Sequence, residues 1–244
     1  MGPYLIAHVP HAGMLVPPEM YEHLTEAEIE ASLVEAAVVC DWHTEVMLSP
    51  NAVDETIEFP YARTFCDVER YVFDPLDKVG QGLFYTKTVD GRFLRGPSAG
   101  ASCCAVRIYE DYHAQMSRGI AKTLGLMPVV MIDMHSYSDF QADQTGRSER
   151  PDICVGGDTE QTPQWMVDRT RAVFERHGYT TTQNRPYEGS MIPRGFLGNP
   201  DFSTIMFEVH KRLYLGPDNQ PIPRQFEKLR IALEEGAALL RGEP

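Results

Sequence analysis

An apolar run of strand length that ends in a polar cluster constrains the fold more than any other feature of this chain. Residues 128–140 read PVVMIDMHSYSDF, and the run VVMIDM is typical of a buried strand. Apolar residues recur at helical spacing just before it, over residues 105–124, and again over residues 226–240. Strands interleaved with helices predict an α/β fold with a mainly parallel mixed sheet and helices on both faces.

The remaining segments fit the same alternation. Thr25 and Glu28 form a T-x-x-E capping signal for a helix that we expect to run to about Leu48. Residues 163–177 are predicted to be helical, and further strands are predicted at residues 4–9, 55–63, 153–157, 179–183 and 202–209. At this length we expect a single domain over residues 1–244, with a loop-rich excursion at about residues 73–102.

Composition limits the classes of binding partner and the cellular compartment that we expect for this protein. The formal net charge of -13, with no stretch rich in Lys or Arg, argues against binding to nucleic acid or anionic lipid. The sequence shows neither a signal peptide nor about 18 consecutive apolar residues, so we expect a cytoplasmic protein with a small-molecule ligand. Five cysteines without C-x-x-C spacing suit reduced thiols better than disulfides or a cysteine-rich zinc site.

Three predicted strands end in residues that can carry chemistry. His11 follows the first strand, His135 follows VVMIDM, and Glu208 lies near the end of STIMFEV. In open α/β sheets, ligands bind beyond the carboxyl ends of the strands. A single histidine near a strand end is more often structural, but two histidines and a carboxylate together predict an open, catalytic metal site.

The second metal carboxylate is not settled by spacing. The segment CDWHTEV offers Asp41 and Glu45, which would share one face of a helix at i,i+4. A different chemistry would make Ser136 a nucleophile, but MHSYS lacks the G-x-S-x-G elbow of serine hydrolases.

A set of motifs in fixed order is similar to the N-formylglutamate amidohydrolase family. The motifs are PHAG, DWHTE, RTFCDVERYVFD, YEDYH, DMHSYS, RPDICVGG, NRPYEGSMI and FEVHKRLYL, and they span roughly residues 5–215. HSYS and FE also resemble segments of zinc carboxypeptidases. The resemblance implies a zinc carboxypeptidase-like (phosphorylase/hydrolase-like) fold and a zinc-dependent amidohydrolase that acts on a linear amide such as N-formylglutamate.

The resemblance also implies roles for individual residues. His11 and His135 would bind one zinc ion, Asp41 would complete the ligand set, and Glu208 would activate the attacking water. Iron or manganese would tolerate similar ligands, so the metal used in the cell stays open.

Arginine is the side chain that binds carboxylates through a bidentate fork, and three arginines are candidates for binding the substrate. Arg63 and Arg70 flank Asp67 in ARTFCDVER, and Arg194 lies in MIPRG. The N-x-P-Y-x-G loop of the family adds two further candidates for substrate binding. The loop residues are Asn184 and Tyr187, and the supporting residues of the site are Asp67, His113, Asp133, Ser136 and His210.

The chain departs from the family pattern at several positions. Glu69 stands in DVER where Asp-x-Asn-Arg is usual, and His210 follows Glu208 where Asn is common. If Glu69 points inward, its negative charge would disfavour an anionic glutamate side chain. The acyl group, the amino acid recognised, the roles of Glu69 and His210, and the oligomeric state stay open.

One alternative is a catalytically silent, zinc-containing protein that binds a small acidic metabolite. The enzyme and the silent binding protein differ in the role of Glu208, which only the enzyme needs for turnover. Loss of turnover in Glu208→Gln, with zinc and ligand affinity retained, would favour the enzyme.

Overall fold

A computed structural model describes residues 2–242 and shows an α/β fold built on one sheet. Six strands are present within these residues: β1 (Tyr4–Val9), β2 (Glu55–Glu58), β3 (Val129–Tyr137), β4 (Ile153–Gly156), β5 (Thr181–Gln183) and β6 (Phe202–His210). Their order in the sheet is β2-β1-β3-β6-β4-β5. β1 with β3, β3 with β6, and β4 with β5 are parallel pairs, whereas β4 and β6 are antiparallel. The prediction of a mainly parallel mixed sheet in an α/β fold is confirmed.

Helices are interleaved with these strands along the chain, except between β5 and β6. They are α1 (Glu26–Val39), α2 (Ala99–Leu124), α3 (Asp139–Asp143), α4 (Gln164–Arg176) and α5 (Pro223–Leu240), and short 3-10 helices lie at Pro18–Glu22, Thr44–Val46, Pro75–Val79 and Lys211–Leu213. Over residues 2–242, none of the helices has both the length and the apolar character that crossing a membrane would require.

The prediction that the first helix runs to about Leu48 is wrong. α1 begins at the predicted Thr25 capping box but ends at Val39, because Cys40 adopts an extended conformation with φ -63° and ψ 138°. The backbone N–H of Asp41 then donates to the carbonyl of His11 (3.0 Å), outside the helix. Asp41 and Glu45 therefore do not share a helix face.

The described chain divides into two compact units. The first contains residues 2–9, 42–57 and 117–242, and the second contains residues 10–41 and 58–116. The strands belong to the first unit, apart from the last residue of β2. A single domain over residues 1–244, with its loop-rich excursion at about 73–102, stays a prediction.

The core of the first unit forms around β3 and β6. All nine residues of β3 are buried, and β3 pairs with β6 along its whole length. Phe174 of α4 packs edge to face on Phe207 of β6, with ring centroids 5.2 Å apart. Gly236 of α5 allows close helix packing, since a Cβ atom there would lie 3.1 Å from the Phe174 ring. Apolar burial therefore fixes the two strands that carry His135 and Glu208.

The second unit has its own hydrophobic core, to which Phe65, Phe84 and Tyr109 contribute. The buried guanidinium of Arg95 donates to the carbonyl of Tyr85 and to Ser32 Oγ (both 2.6 Å). It also lies 4.0 Å from the centroid of the Phe84 ring. These contacts anchor the turn-rich segment that carries Tyr85.

Candidate active site

Two of the predicted site residues lie side by side on the sheet of the first unit. His135 of β3 is in register with Glu208 of β6. Residues directly paired on neighbouring strands project from the same face of a sheet, so the imidazole and the carboxylate share one face. Both residues are buried, with 5% and 6% of their surfaces exposed. The strand register thus places a predicted metal ligand beside the predicted catalytic acid/base.

Asp133 connects two histidines on this face. Its Oδ1 lies 2.8 Å from Nδ1 of His8 and 3.2 Å from Nε2 of His135. Its Oδ2 accepts from the backbone N–H of Met191 (2.9 Å). Burial alone would raise the pKa of Asp133, but His135 and His8 outweigh burial and hold that pKa well below its usual value.

The ionised state of Asp133 determines the histidine tautomers. Because an ionised carboxylate only accepts hydrogen bonds, Nε2 of His135 and Nδ1 of His8 carry the protons that face it. In neutral His135 the lone pair is then on Nδ1 and can bind a metal.

Two neighbours of this pair carry a thiol or a hydroxyl group. Cys154 of β4 is in antiparallel register with Glu208, and burial followed by the Glu208 charge raises the pKa of its thiol to about 11. The thiol is therefore neutral at pH 7. Ser136 is buried between His135 and Tyr137, and strand alternation directs it to the opposite face of the sheet. This direction does not favour a serine nucleophile activated by His135.

The other predicted residues of the first unit lie in or beside the loop that follows β5, or at the end of β6. The Asn184 side chain organises the loop: its Oδ1 accepts from the N–H groups of Gly157 (2.9 Å) and Gly189 (3.2 Å). Tyr187 is partly buried, with its ring 5.6 Å from that of Tyr137 between centroids, and Arg194 is exposed.

His210 is buried at the end of β6. Its Nδ1 accepts from the N–H of Arg212 (3.2 Å), and its Nε2 lies 3.2 Å from Asp139 Oδ1. Burial lowers the pKa of His210 despite the hydrogen bond to Asp139. Its imidazole therefore contacts α3 and the chain that follows β6.

In the second unit, the predicted ligand His11 is held by a buried carboxylate. Its Nε2 lies 2.9 Å from Oδ1 of Asp67, and both residues are almost fully buried. Arg63 donates to Oδ2 of Asp67 through Nε (3.1 Å) and Nη2 (2.8 Å), and Tyr85 donates to the same oxygen (3.0 Å). Nη2 of Arg70 is 3.7 Å from Oδ2.

This network keeps Asp67 ionised. Burial would raise its pKa, but Arg63, Arg70 and His11 lower it well below the usual value. Nε2 of His11 therefore donates to the carboxylate, and in the neutral imidazole the lone pair is on Nδ1. The two predicted substrate-binding arginines of this unit thus contact Asp67.

Two carboxylates face this Nδ1 atom of His11. Oδ2 of Asp41 is 3.6 Å away and Oε2 of Glu69 is 3.7 Å away. Two ligands of one zinc ion at tetrahedral positions are separated by about 3.4 Å, given metal–ligand bonds of about 2.1 Å. The oxygens of Asp41 and of Glu69 therefore both lie near the distance from His11 Nδ1 that separates two ligands of one cation.

His113 of α2 is buried in the second unit, and its Nε2 lies 2.7 Å from the carbonyl oxygen of Val68. Its ring centroid is 4.1 Å from that of Tyr109. These contacts support the loop that carries Asp67 and Glu69.

His8 and Tyr85 are not among the site residues that the sequence predicts. His8 lies inside an apolar strand, and Tyr85 lies in a turn-rich segment far along the chain from Asp67. A histidine within a buried strand was the only signal that pointed to His8. His135 and Glu208 belong to the first unit, and His11 and Asp41 belong to the second, so the complete ligand set stays a prediction.

Comparisons with known proteins give a family and a fold. Residues 4–215 match the sequence model of a family described as N-formylglutamate amidohydrolase. The solved structure of N-formylglutamate amidohydrolase from Ralstonia eutropha JMP134 matches with a TM-score of 0.80 and 16% identity, over 99% of this chain and 95% of that chain. At this identity the structural likeness shows the fold alone.

Two further solved structures are more distant. They are the catalytic domain of an N-acetylmuramoyl-L-alanine amidase from Bacillus (Paenibacillus) polymyxa var. colistinus and the N-acetylmuramyl-L-alanine amidase from Mycobacterium smegmatis. Their TM-scores are 0.36 and 0.39 and their identities 8% and 9%, over 97% and 98% of this chain and 97% of each of theirs. No curated protein matches the chain significantly.

Proposed function

Because the chain belongs to the N-formylglutamate amidohydrolase family, whose members hydrolyse an amide, we propose that it cleaves a small N-acyl amino acid into a carboxylic acid and a free amine. N-formylglutamate is one such substrate. The observation that most directly supports the proposal is the register of β3 and β6, which pairs His135 with Glu208 on one buried face of the sheet.

The proposal includes one zinc ion held by His11, Asp41 and His135. Two imidazole nitrogens and a carboxylate oxygen suit zinc and leave a coordination position open. Each histidine also has its Nε2 on a buried carboxylate, Asp67 or Asp133, as metal-binding histidines commonly do. When bound, zinc would supply Lewis-acid polarisation of the scissile carbonyl and make water easier to deprotonate.

The chain's own residues account for the proton transfers. Glu208 accepts a proton from the attacking water and returns it to the nitrogen of the leaving amine, so it ends the cycle ionised as it began. Asp67 and Asp133 keep the histidine tautomers fixed throughout. Arg70, Arg63 and Arg194 are the proposed partners of substrate carboxylates, together with Asn184 and Tyr187.

The cytoplasmic location and the absence of nucleic-acid and membrane partners remain part of the proposal. The alternative, a silent binding protein for a small acidic metabolite, would keep the metal and lack turnover. Metal content alone therefore does not separate the two.

The deciding experiment combines metal analysis with a screen of N-formyl and N-acetyl amino acids, scored by release of the free amine. We expect one equivalent of zinc and turnover by the wild type. Glu208→Gln should lower kcat by a factor of about 10²–10⁴ while keeping the zinc content, because it removes only the proton acceptor. Glu160→Gln, an exposed glutamate of the same unit, is the matched control. No turnover with zinc supplied, or full turnover in Glu208→Gln, would contradict the proposal.

A further inference from the structure

Glu69 points inward, at the residue predicted to bind metal in the second unit. Its Oε2 lies 3.7 Å from Nδ1 of His11, and its side chain is only 16% exposed. Its backbone N–H donates to Oδ1 of Asp67 (3.1 Å), which fixes the loop at this position. The negative charge of Glu69 is therefore part of the site.

The charges around His11 can be counted within this unit. Two guanidinium groups, Arg63 and Arg70, contact the carboxylate of Asp67, and Asp41 and Glu69 add two carboxylates beside His11. Among these groups the carboxylates outnumber the guanidinium groups by one. With a neutral residue at position 69, the number of carboxylates would equal the number of guanidinium groups.

Interactions between charges are weakly screened here, because the cluster is largely buried and the effective dielectric constant is low. A second substrate carboxylate placed beside His11 would therefore be repelled by Glu69, and such like-charge contacts are strongly unfavourable.

We infer that Glu69 is a specificity-determining residue, which makes this enzyme select N-acyl amino acids with an uncharged side chain over those with a second carboxylate. The inference rests on the proposed amidohydrolase function. It predicts that N-formylglutamate, the substrate named in the family's description, is a poor substrate for this chain.

The test compares N-formylglutamate with N-formylglutamine, which has nearly the same shape and one negative charge fewer. We expect wild-type kcat/KM to favour N-formylglutamine by about tenfold or more. Glu69→Gln should remove most of this preference, chiefly by raising kcat/KM for N-formylglutamate. Glu69→Asp keeps the charge and should keep the preference, and Glu160→Gln serves as the control away from the site.

Three results would contradict the inference. A wild-type preference for N-formylglutamate would overturn it, and so would an unchanged substrate ratio in a folded, active Glu69→Gln protein. Either result would leave the proposed function standing, because both substrates would still be hydrolysed. Failure of the wild type to hydrolyse any N-acyl amino acid would overturn the proposed function and this inference with it.

Discussion

Asp133 and Asp67 each hold a predicted metal-binding histidine, but the first is built on strands and the second on a loop. Asp133 shares β3 with His135 and faces His8 across the β1–β3 register. Asp67 reaches His11 from a loop, with no strand ladder to align the two residues. Strand register therefore positions Asp133 beside His8, whereas side-chain interactions position Asp67 beside His11.

The two carboxylates also differ in what compensates their charge. Asp67 has the permanent charges of Arg63 and Arg70, whereas the side-chain partners of Asp133 are two histidines, supplemented by one backbone N–H. Histidine can be neutral at pH 7, but arginine cannot. The loop-built arrangement should therefore depend much more strongly on its carboxylate than the strand-built one.

The largest expected effect comes from Asp67→Asn. It removes the buried carboxylate that the largely buried Arg63 guanidinium contacts, and breaking a buried ion pair in this way costs roughly 3–5 kcal/mol. We expect the free energy of unfolding, measured with urea at pH 7, to fall by about that amount. Asp111→Asn, at an exposed position on α2, is the control and should change it by less than about 0.5 kcal/mol.

The same substitution has a defined dependence on pH. The folded-state pKa of Asp67 lies well below its usual value, so its ionised form stabilises the fold above the unfolded pKa of about 3.9. That contribution is lost as the pH falls through the folded pKa. The difference between wild type and Asp67→Asn should therefore be largest near neutral pH and shrink below about pH 4, and a difference that grows in acid would contradict the assignment.

Asp133→Asn should have a smaller effect on stability and a clear effect on the metal. The amide would turn its NH₂ group towards the N–H of Met191, and one unsatisfied buried donor costs about 1–3 kcal/mol. Loss of the carboxylate beside His135 should weaken zinc binding by about 10–100-fold, measured by competition with a chelator. Zinc affinity equal to wild type would argue against His135 as a ligand.

The smallest expected effect is that of Tyr85→Phe. It removes one of several donors to Asp67 and leaves Arg63 in place, so we expect a loss of about 0.5–1.5 kcal/mol in the free energy of unfolding. A loss as large as that of Asp67→Asn would show that Tyr85, rather than the arginines, compensates Asp67.

The sequence pattern predicts the strands that carry His135 and Glu208, because long apolar runs are a strong signal of burial. The pattern is misleading at Asp41, because it predicts a helix that continues to about Leu48. The chain leaves the helix at Cys40, and Asp41 donates its N–H to His11, a residue 30 positions earlier. A contact at such a distance along the chain has no local signature.

The sequence by itself determined the α/β class, the parallel pairing of the central strands and the family, because hydrophobic periodicity and ordered motifs are properties of the chain alone. Only the tertiary structure decided which side chains compensate one another. It placed His8 and His135 on Asp133, Arg63 and Tyr85 on Asp67, and Glu69 against His11. Charge compensation acts over a few ångströms between residues remote in sequence, so composition and spacing do not reveal it.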